Sequence, residues 1–271
     1  MRFVWLVFLV IVFCDADAQV LRVMGTRSTA CGGCLSVMVG PECFPDNPAA
    51  LARQNDGFIA FDAANSYLLP ASTTFVAGGA VAVYHTNLSL GIAYSGDEFF
   101  HETFVSAQAS KCLFRTLLAG VRIKYHSLFQ GDSYGKSHGA SADAGLIWEI
   151  SDKTAFGIFL CNPFSVSFSS DKSLSGIACV ASGVCFHTGP HSLVIAEIEK
   201  MPTRPVNIKA GMEWDFSGNF VFRCGAQYAT RMISFGCGFV LNNIRINIAV
   251  SNSLIPGSQF TFSSLYEFAK R

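Results

Sequence analysis

"PVNIKAGMEWDF", Pro205 to Phe216, alternates with a period of two. Successive side chains of an extended chain point to opposite sides. Val206, Ile208, Ala210, Met212, Trp214 and Phe216 therefore share one face, and Asn207, Lys209, Gly211, Glu213 and Asp215 share the other. One face is greasy and the other polar. The rule returns in "NFVFRCGAQY", where Phe220, Phe222, Cys224, Ala226 and Tyr228 oppose Val221, Arg223, Gly225 and Gln227. It returns again in "IRINIAVSN", with Ile244, Ile246, Ile248 and Val250 against Arg245, Asn247, Ala249 and Ser251. Between the three lie Asp215-Phe216-Ser217-Gly218-Asn219 and Leu241-Asn242-Asn243, clusters of turn formers that suit hairpins.

Outward from this core the pattern predicts earlier strands at 57–66, 73–85, 88–94, 102–110, 114–129, 141–150, 155–163, 175–186 and 192–200. Strands at 206–216, 220–230, 232–240, 244–253 and 259–268 complete about fourteen, with twelve as the alternative, and 130–139 reads as a loop. About fifteen residues per strand and turn suit membrane-crossing strands of about 9 to 11 residues. A soluble β-sandwich also alternates, but its solvent face would carry Lys, Glu, Thr and Ser. Here the less apolar face is mostly Gly, Ala, Ser and scattered charge, as expected of a lumen.

Composition agrees. The chain is 51% hydrophobic and only 14% charged, against about 25% charged in a soluble domain, yet no stretch after the leader approaches the length of an apolar spanning helix. An apolar, Gly-rich, helix-poor chain points to a closed barrel, since only helices and closed barrels satisfy every backbone group in lipid. The opening "MRFVWLVFLVIVFCDADAQ" has Arg2, an apolar run from Phe3 to Phe13 and Ala16-Asp17-Ala18. This is the layout of a secretory signal peptide cleaved after Ala18. Cys14 raises a lipoprotein alternative, opposed by the bulky Phe13 before it. Cleavage leaves a formal charge of +1, with no basic footprint for nucleic acid.

Between leader and first strand lies "MGTRSTACGGCLSVMVGPECFPDNPAALA", Met24 to Ala52. Gly32-Gly33 permits tight turning, Ala and Cys fit narrow spaces, and Asp46-Asn47-Pro48 is a helix-start signal. The segment is too apolar for a disordered lead-in and reads as a plug folded into the lumen. The expected organisation is a signal peptide at 1–18, a plug at 19–56 and an all-β transmembrane antiparallel barrel at 57–271. Cys31 and Cys34 form a CxxC, but with no second pair or suitably spaced His a zinc site is not expected. A local disulfide or free thiols remain the two readings.

"GTRSTACGGC" (25–34) followed by "DNPAALA" (46–52) resembles the amino-terminal signature of the PorV/PorQ outer-membrane proteins of Bacteroidota, relatives of the FadL-type barrels. Gly25, Arg27, Ala30, Gly32, Gly33, Asn47, Pro48 and Ala49 match its G-x-R-x-x-A-L-G-G-A and Asn-Pro-Ala elements; Cys31 and Cys34 depart from it. The closing strand "SQFTFSSLYEFAKR", with Phe260, Phe262, Ser264, Tyr266 and Phe268 on one face, looks like the terminal strand that barrel assembly machinery recognises, except that Ala269, Lys270 and Arg271 follow. The resemblance implies a fourteen-stranded barrel in the bacterial outer membrane, in contact with its lipid. It also implies a non-catalytic role in type IX secretion, with secretion components or secreted cargo as partners and no cofactor.

The alternative is FadL-like passive transport of hydrophobic molecules, which needs a dry pocket and a break in the wall. Gly78, Gly79, Gly91, Gly120, Gly211, Gly225, Gly236 and Gly238 leave lumenal room for one, although close packing on a plug explains the same glycines. Arg122, Lys124, Glu149, Lys209, Glu213, Asp215, Arg223 and Arg245 are the expected lumen charges, with mixed signs that suit ion pairs fastening plug to wall, Arg27 being the plug-side partner. Catalysis is not expected. His85, His126, His138, His187 and His191, dispersed over expected strand ends and loops, and the scattered carboxylates assemble no nucleophile, base and orienter. "GDSYG" (131–135) has elbow spacing without a following helix.

Overall fold

A computed structural model describes residues 23–131, 135–169, 176–254 and 257–268. The expected signal peptide and its cleavage site, and the Ala269-Lys270-Arg271 tail, lie outside them. The alternation folds into fourteen antiparallel strands: β1 Phe58–Ser66, β2 Thr73–Val83, β3 Thr86–Gly96, β4 Phe100–Phe114, β5 Leu117–Gln130, β6 Gly135–Glu149 and β7 Thr154–Ser167. The second half is β8 Cys179–Gly189, β9 Ser192–Lys200, β10 Asn207–Asp215, β11 Phe220–Gln227, β12 Met232–Leu241, β13 Ile244–Ser253 and β14 Ser258–Glu267. Each strand pairs with its sequence neighbours, and β1 closes on β14 from Phe58↔Glu267 to Ser66↔Gln259. The ring has no free edge, which removes the exposed backbone groups an open sheet would present to lipid.

Face assignment follows the period of two. On β10, Ile208 and Trp214 are 53% and 47% exposed on the outside, while Lys209 is 3% exposed within. The closing strand presents Phe260, Phe262 and Tyr266 outward in the same way. Strands β9 and β13 have the expected bounds. The loop expected at 130–139 is instead largely strand, with β5 and β6 paired from Gln130↔Gly135 onward. Its misleading composition has a physical source: Ser137, Gly139 and Ser141 are the inward, buried face of β6, and small polar residues there imitate a loop. Phe114 closes β4 across a bulge and does not open β5.

The two ends of the barrel differ. At the end carrying Phe58 and Glu267, strands are joined by tight turns, such as Tyr84-His85, both at positive φ, between paired Val83 and Thr86. At the other end the connections are longer, notably between β7 and β8 and between β9 and β10. Among the described residues no helix is long and apolar enough to cross a membrane.

Residues 23–56 lie against the inner wall. They form a short helix α1, Thr26–Ala30, and 3-10 turns at Pro41–Cys43 and Pro48–Leu51. Hydrophobic clusters combine segment and wall: Phe44 and Leu51 pack with Phe58, Val76, Ala93, Phe104 and Leu265, and Leu35 with Phe159, Cys161, Cys179 and Ala181. The core of the molecule is thus the contact between this segment and the lumen face. Glycine makes the approach possible. A Cβ on Gly225 would stand 2.1 Å from the Gly32 nitrogen, and one on Gly120 would stand 2.3 Å from the Pro48 carbonyl. Gly79, expected on the lumen side, faces the opposite way, since Gly78 before it meets Phe44 and alternation turns the next residue out.

Candidate functional site: the lumenal contacts, the cavities and the interrupted wall

Three carboxylate centres tie the lumen together. In the first, Glu213 on β10 accepts from Arg27 Nε and Nη2, each at 2.8 Å, and from Arg223 Nε at 2.6 Å. Arg223 also donates to Asn247 at 2.7 Å, and Glu42 lies 3.7 Å from Arg27. Burial works against the charge on Arg27, but the carboxylates of Glu213 and then Glu42 outweigh it and hold the guanidinium firmly protonated. In the second, Lys209 donates to Glu197 and Glu199 at 2.9 Å and to the Gly33 carbonyl at 2.8 Å. Glu197 in turn accepts from the backbone N–H groups of Leu35 and Ser36, so one carboxylate satisfies two otherwise orphaned donors of the segment.

The third centre is Asp143 on β6. Its Oδ2 accepts from Arg122 Nε and its Oδ1 pairs with Lys124, both at 2.8 Å. Arg122 reaches on to the carbonyls of Pro45 and Asp46 at 2.9 Å. Asp46, entirely within the segment, accepts from the Gly25 N–H and the Ser28 hydroxyl. Burial nevertheless raises its pKa to about 6, since those hydrogen bonds only partly compensate the loss of water.

The motif residues are accounted for one by one. Arg27 meets Glu213; Gly32 donates to Ser234, whose hydroxyl donates to the Ala30 carbonyl. Gly32 and Gly33 both have positive φ, the left-handed region that favours glycine. Asn47 caps the second 3-10 turn by accepting from Ala49 N–H and donates to Ser36 and Ile158 carbonyls. Pro48 offers its carbonyl to Ser110 at 2.6 Å. Gly25 donates to Asp46 as above. The residues read as lumen charges divide: Arg122, Lys124, Lys209, Glu213 and Arg223 meet inside, whereas Glu149 pairs with Arg53 and Arg245 with Glu267 nearer the rim. Asp215 joins neither set; it accepts from Ser217 and Gly218 N–H in the turn after β10.

Sequence reading missed Glu42, Asp46, Asp143, Glu197 and Glu199. For the last three the signal existed: Glu197 and Glu199 stand two apart in "AEIEK", and Asp143 shares the period of Ser141 and Gly145, which places each on the inward face. Cys31 and Cys34 carry no disulfide and are fully buried. Burial pushes the Cys31 thiol up to about 12 and the Cys34 and Cys43 thiols well upward, so these three act as small packing groups. Among the described residues no cluster of three or more His, Cys, Asp or Glu could hold a metal ion.

Cavities lie on opposite sides of the segment. One, of about 300 Å³, opens among the longer connections and is lined by Met24, Cys161, Cys179, Ile177, Met201 and Pro205, with Lys209 and Glu199 below. The other, of about 580 Å³, sits at the short-turn end beside Arg27, Met38, Arg53, Arg115 and Glu149. Alongside the first cavity the wall is interrupted. In the β6–β7 ladder Ala142 pairs with Phe164 and Ala144 with Leu160, so Asp143 alone faces Cys161, Asn162 and Pro163. Pro163 has no N–H to give, and Asn162, at φ +49°, turns its N–H to Asp143 and accepts from Lys124. Just past the interruption, on the outer surface, Ala144 and Leu160 border an apolar hollow of about 440 Å³ with Val121, Leu146 and Ile158.

The fold, a closed antiparallel barrel of fourteen strands, matches that of FadL-like outer-membrane barrels. The structure is similar to the toluene transporter TodX of Pseudomonas putida, with a TM-score of 0.70, 13% identity, 93% of this chain covered and 99% of that one. It is also similar to the toluene transporter TbuX of Ralstonia pickettii, at a TM-score of 0.70 and 12% identity over 92% and 99% of the two chains. A FadL homologue of Pseudomonas aeruginosa matches at a TM-score of 0.63 and 10% identity over 94% and 100%. No family model and no curated protein sequence matches the chain. At these identities the likeness shows the fold alone, and none of the three is a PorV or PorQ protein or a secretion component.

Proposed function

We propose that this chain sits in the outer membrane as a channel for passive transfer of small hydrophobic molecules, with residues 23–56 as its plug. The observation that carries the reading is the interrupted β6–β7 ladder. The plug fills the lumen beneath the mouth cavity, so an apolar solute in that cavity meets a blocked axial path. Beside it the wall lacks regular pairing, and an apolar hollow opens on the lipid side. The sideways route would supply a break in the wall and a pocket whose lining is apolar at Met24, Ile177, Met201 and Pro205 and charged at Lys209, Glu199 and Arg204. The two toluene transporters of the same fold support this choice over type IX secretion. So does the motif that suggested secretion, because Arg27, Gly32, Gly33, Asn47 and Pro48 of it make contacts to the barrel wall.

Removal of Asn162 and Pro163 tests the proposal, since it would leave Asp143 facing Cys161 alone and restore one-to-one pairing between Ala142↔Phe164 and Ala144↔Leu160. In proteoliposomes, uptake of radiolabelled toluene is expected to fall to the protein-free background, with folding verified by heat-modifiable gel mobility. Undiminished uptake by a folded deletion variant overturns the lateral route.

A further inference from the structure

We infer that the apolar hollow on the outer wall is a site for one net-anionic phospholipid of the periplasmic leaflet, with an acyl chain in the hollow and the phosphate on Lys111. The hollow, of about 440 Å³, spans two rows of outward side chains that the strand registers bring together. Thr86, Lys111, Ala119, Leu146 and Ile158 are consecutive Cα partners from β3 to β7. One step further from the short turns, Ala109, Val121, Ala144 and Leu160 form the second row in the same way. Three alanines stand among larger Leu, Ile and Val side chains, so the wall is recessed here, and Gly120 and Gly145 complete the lining. A recess touches an acyl chain on more sides than a convex wall does, and each added contact contributes dispersion attraction.

Lys111 supplies the other half of the site. It is exposed and itself lines the hollow. Of the strand lysines and arginines among the described residues, only Lys111, Lys136 and Lys200 face outward, and the last two stand at the long-connection end. Lys111 lies deeper in the wall, because Phe114, Leu117, Trp148 and Phe156 form the next outward row toward the short turns. Aromatic girdles of such barrels mark the membrane interface, and a cation on the lipid face is destabilising to a degree that grows with depth. Neither row of the hollow contains a carboxylate to offset it. A lipid phosphate offsets it, within reach of the flexible lysine stem. Short turns of these barrels face the periplasm, and the periplasmic leaflet is built of phospholipid. The inference rests on the outer-membrane placement proposed above and not on the passage of any solute.

The test uses the full-length protein folded into vesicles of equimolar dioleoylphosphatidylglycerol and dioleoylphosphatidylcholine, then released in mild detergent for native mass spectrometry. The wild type is expected to retain one phosphatidylglycerol. Lys111→Gln should reduce that adduct about fivefold, the factor one lysine contributes beside an anionic lipid surface, and Lys136→Gln should leave it unchanged. Ala119→Leu with Ala144→Leu fills the hollow and should abolish the adduct. Heat-modifiable gel mobility verifies that each variant remains a barrel. An adduct undiminished in a folded Lys111→Gln or hollow-filled variant overturns the site, and so does equal retention of phosphatidylcholine by the wild type. Flotation separates the two levels of failure: a chain left out of the vesicles overturns the membrane placement and the site together, whereas a floated barrel without the adduct overturns the site alone.

Discussion

Glu213 on β10 and Asp143 on β6 are both carboxylates held between two cations, yet they do opposite work. The β10–β11 ladder around Glu213 is regular from Lys209↔Gln227 to Asp215↔Val221, and one of its two cations, Arg27, comes from the inner segment. Glu213 therefore fastens the segment to an intact wall. Both cations on Asp143 come from β5, and its remaining capacity goes to the displaced Asn162 N–H. Asp143 fastens the wall to itself where the ladder fails. The lesson is that the same local chemistry serves docking or self-repair according to whether backbone pairing has been left unfinished beside it.

Three changes test that contrast. Asp143→Asn has the largest expected effect, because the native carboxylate side chain has no exposure and Arg122 and Lys124 would lose their common anion. Breaking such a buried pair costs about 3–5 kcal/mol, and the upper end is expected here. The thermal midpoint in detergent should fall, while toluene uptake rises as the interruption loosens. Glu213→Gln should cost about 3 kcal/mol, the lower end of the same range, because its partners keep Glu42 nearby and its side chain is 13% exposed. Its signature is different: trypsin cleavage within residues 23–56 and leakage of small polar solutes, with toluene uptake unchanged. If the two variants share one phenotype, the distinction between docking and self-repair fails.

The third change sharpens the docking side through pH. Asp46 has a folded-state pKa of about 6 against an ordinary 3.8. A raised carboxyl pKa means that the folded form prefers the proton, so its contribution is fully present below about pH 4 and is lost as pH rises through 6. Roughly two pKa units correspond to at most about 3 kcal/mol. Asp46→Asn keeps a neutral acceptor for Gly25 and should flatten this dependence, which thermal midpoints measured from pH 4 to 7.5 would reveal. An equally steep slope in the variant would assign the dependence to another group.

Much of the barrel was legible because its inner and outer environments alternate residue by residue, and strands such as Asn207–Asp215 state that alternation without exceptions. Legibility failed where a lumen face resembles a loop. The inward Ser137, Gly139 and Ser141 of β6 look like turn composition, and Asn162-Pro163 looks like a strand end although β7 resumes through Ser167. The pairing of Arg27 with Glu213 could not be read from the chain, because it depends on how far the segment reaches round a closed ring. Arg27 was nevertheless recognisable as the one cation between Met24 and Ala52. Asp143 lay on the inward period of its strand, but only the displaced Asn162 N–H reveals its task.

The seam between β1 and β14 has a consequence for biogenesis. It joins the first strand to the last, so its hydrogen bonds pay the greatest loop-closure entropy of any ladder in the molecule and cannot form before the whole sheet exists. Residues 23–56 directly precede β1 and occupy the space the ring encloses. Their glycine-lined contacts with β2, β3, β5, β10, β11 and β12 span both halves of the ring, so docking the segment holds together strands that the seam alone would have to join.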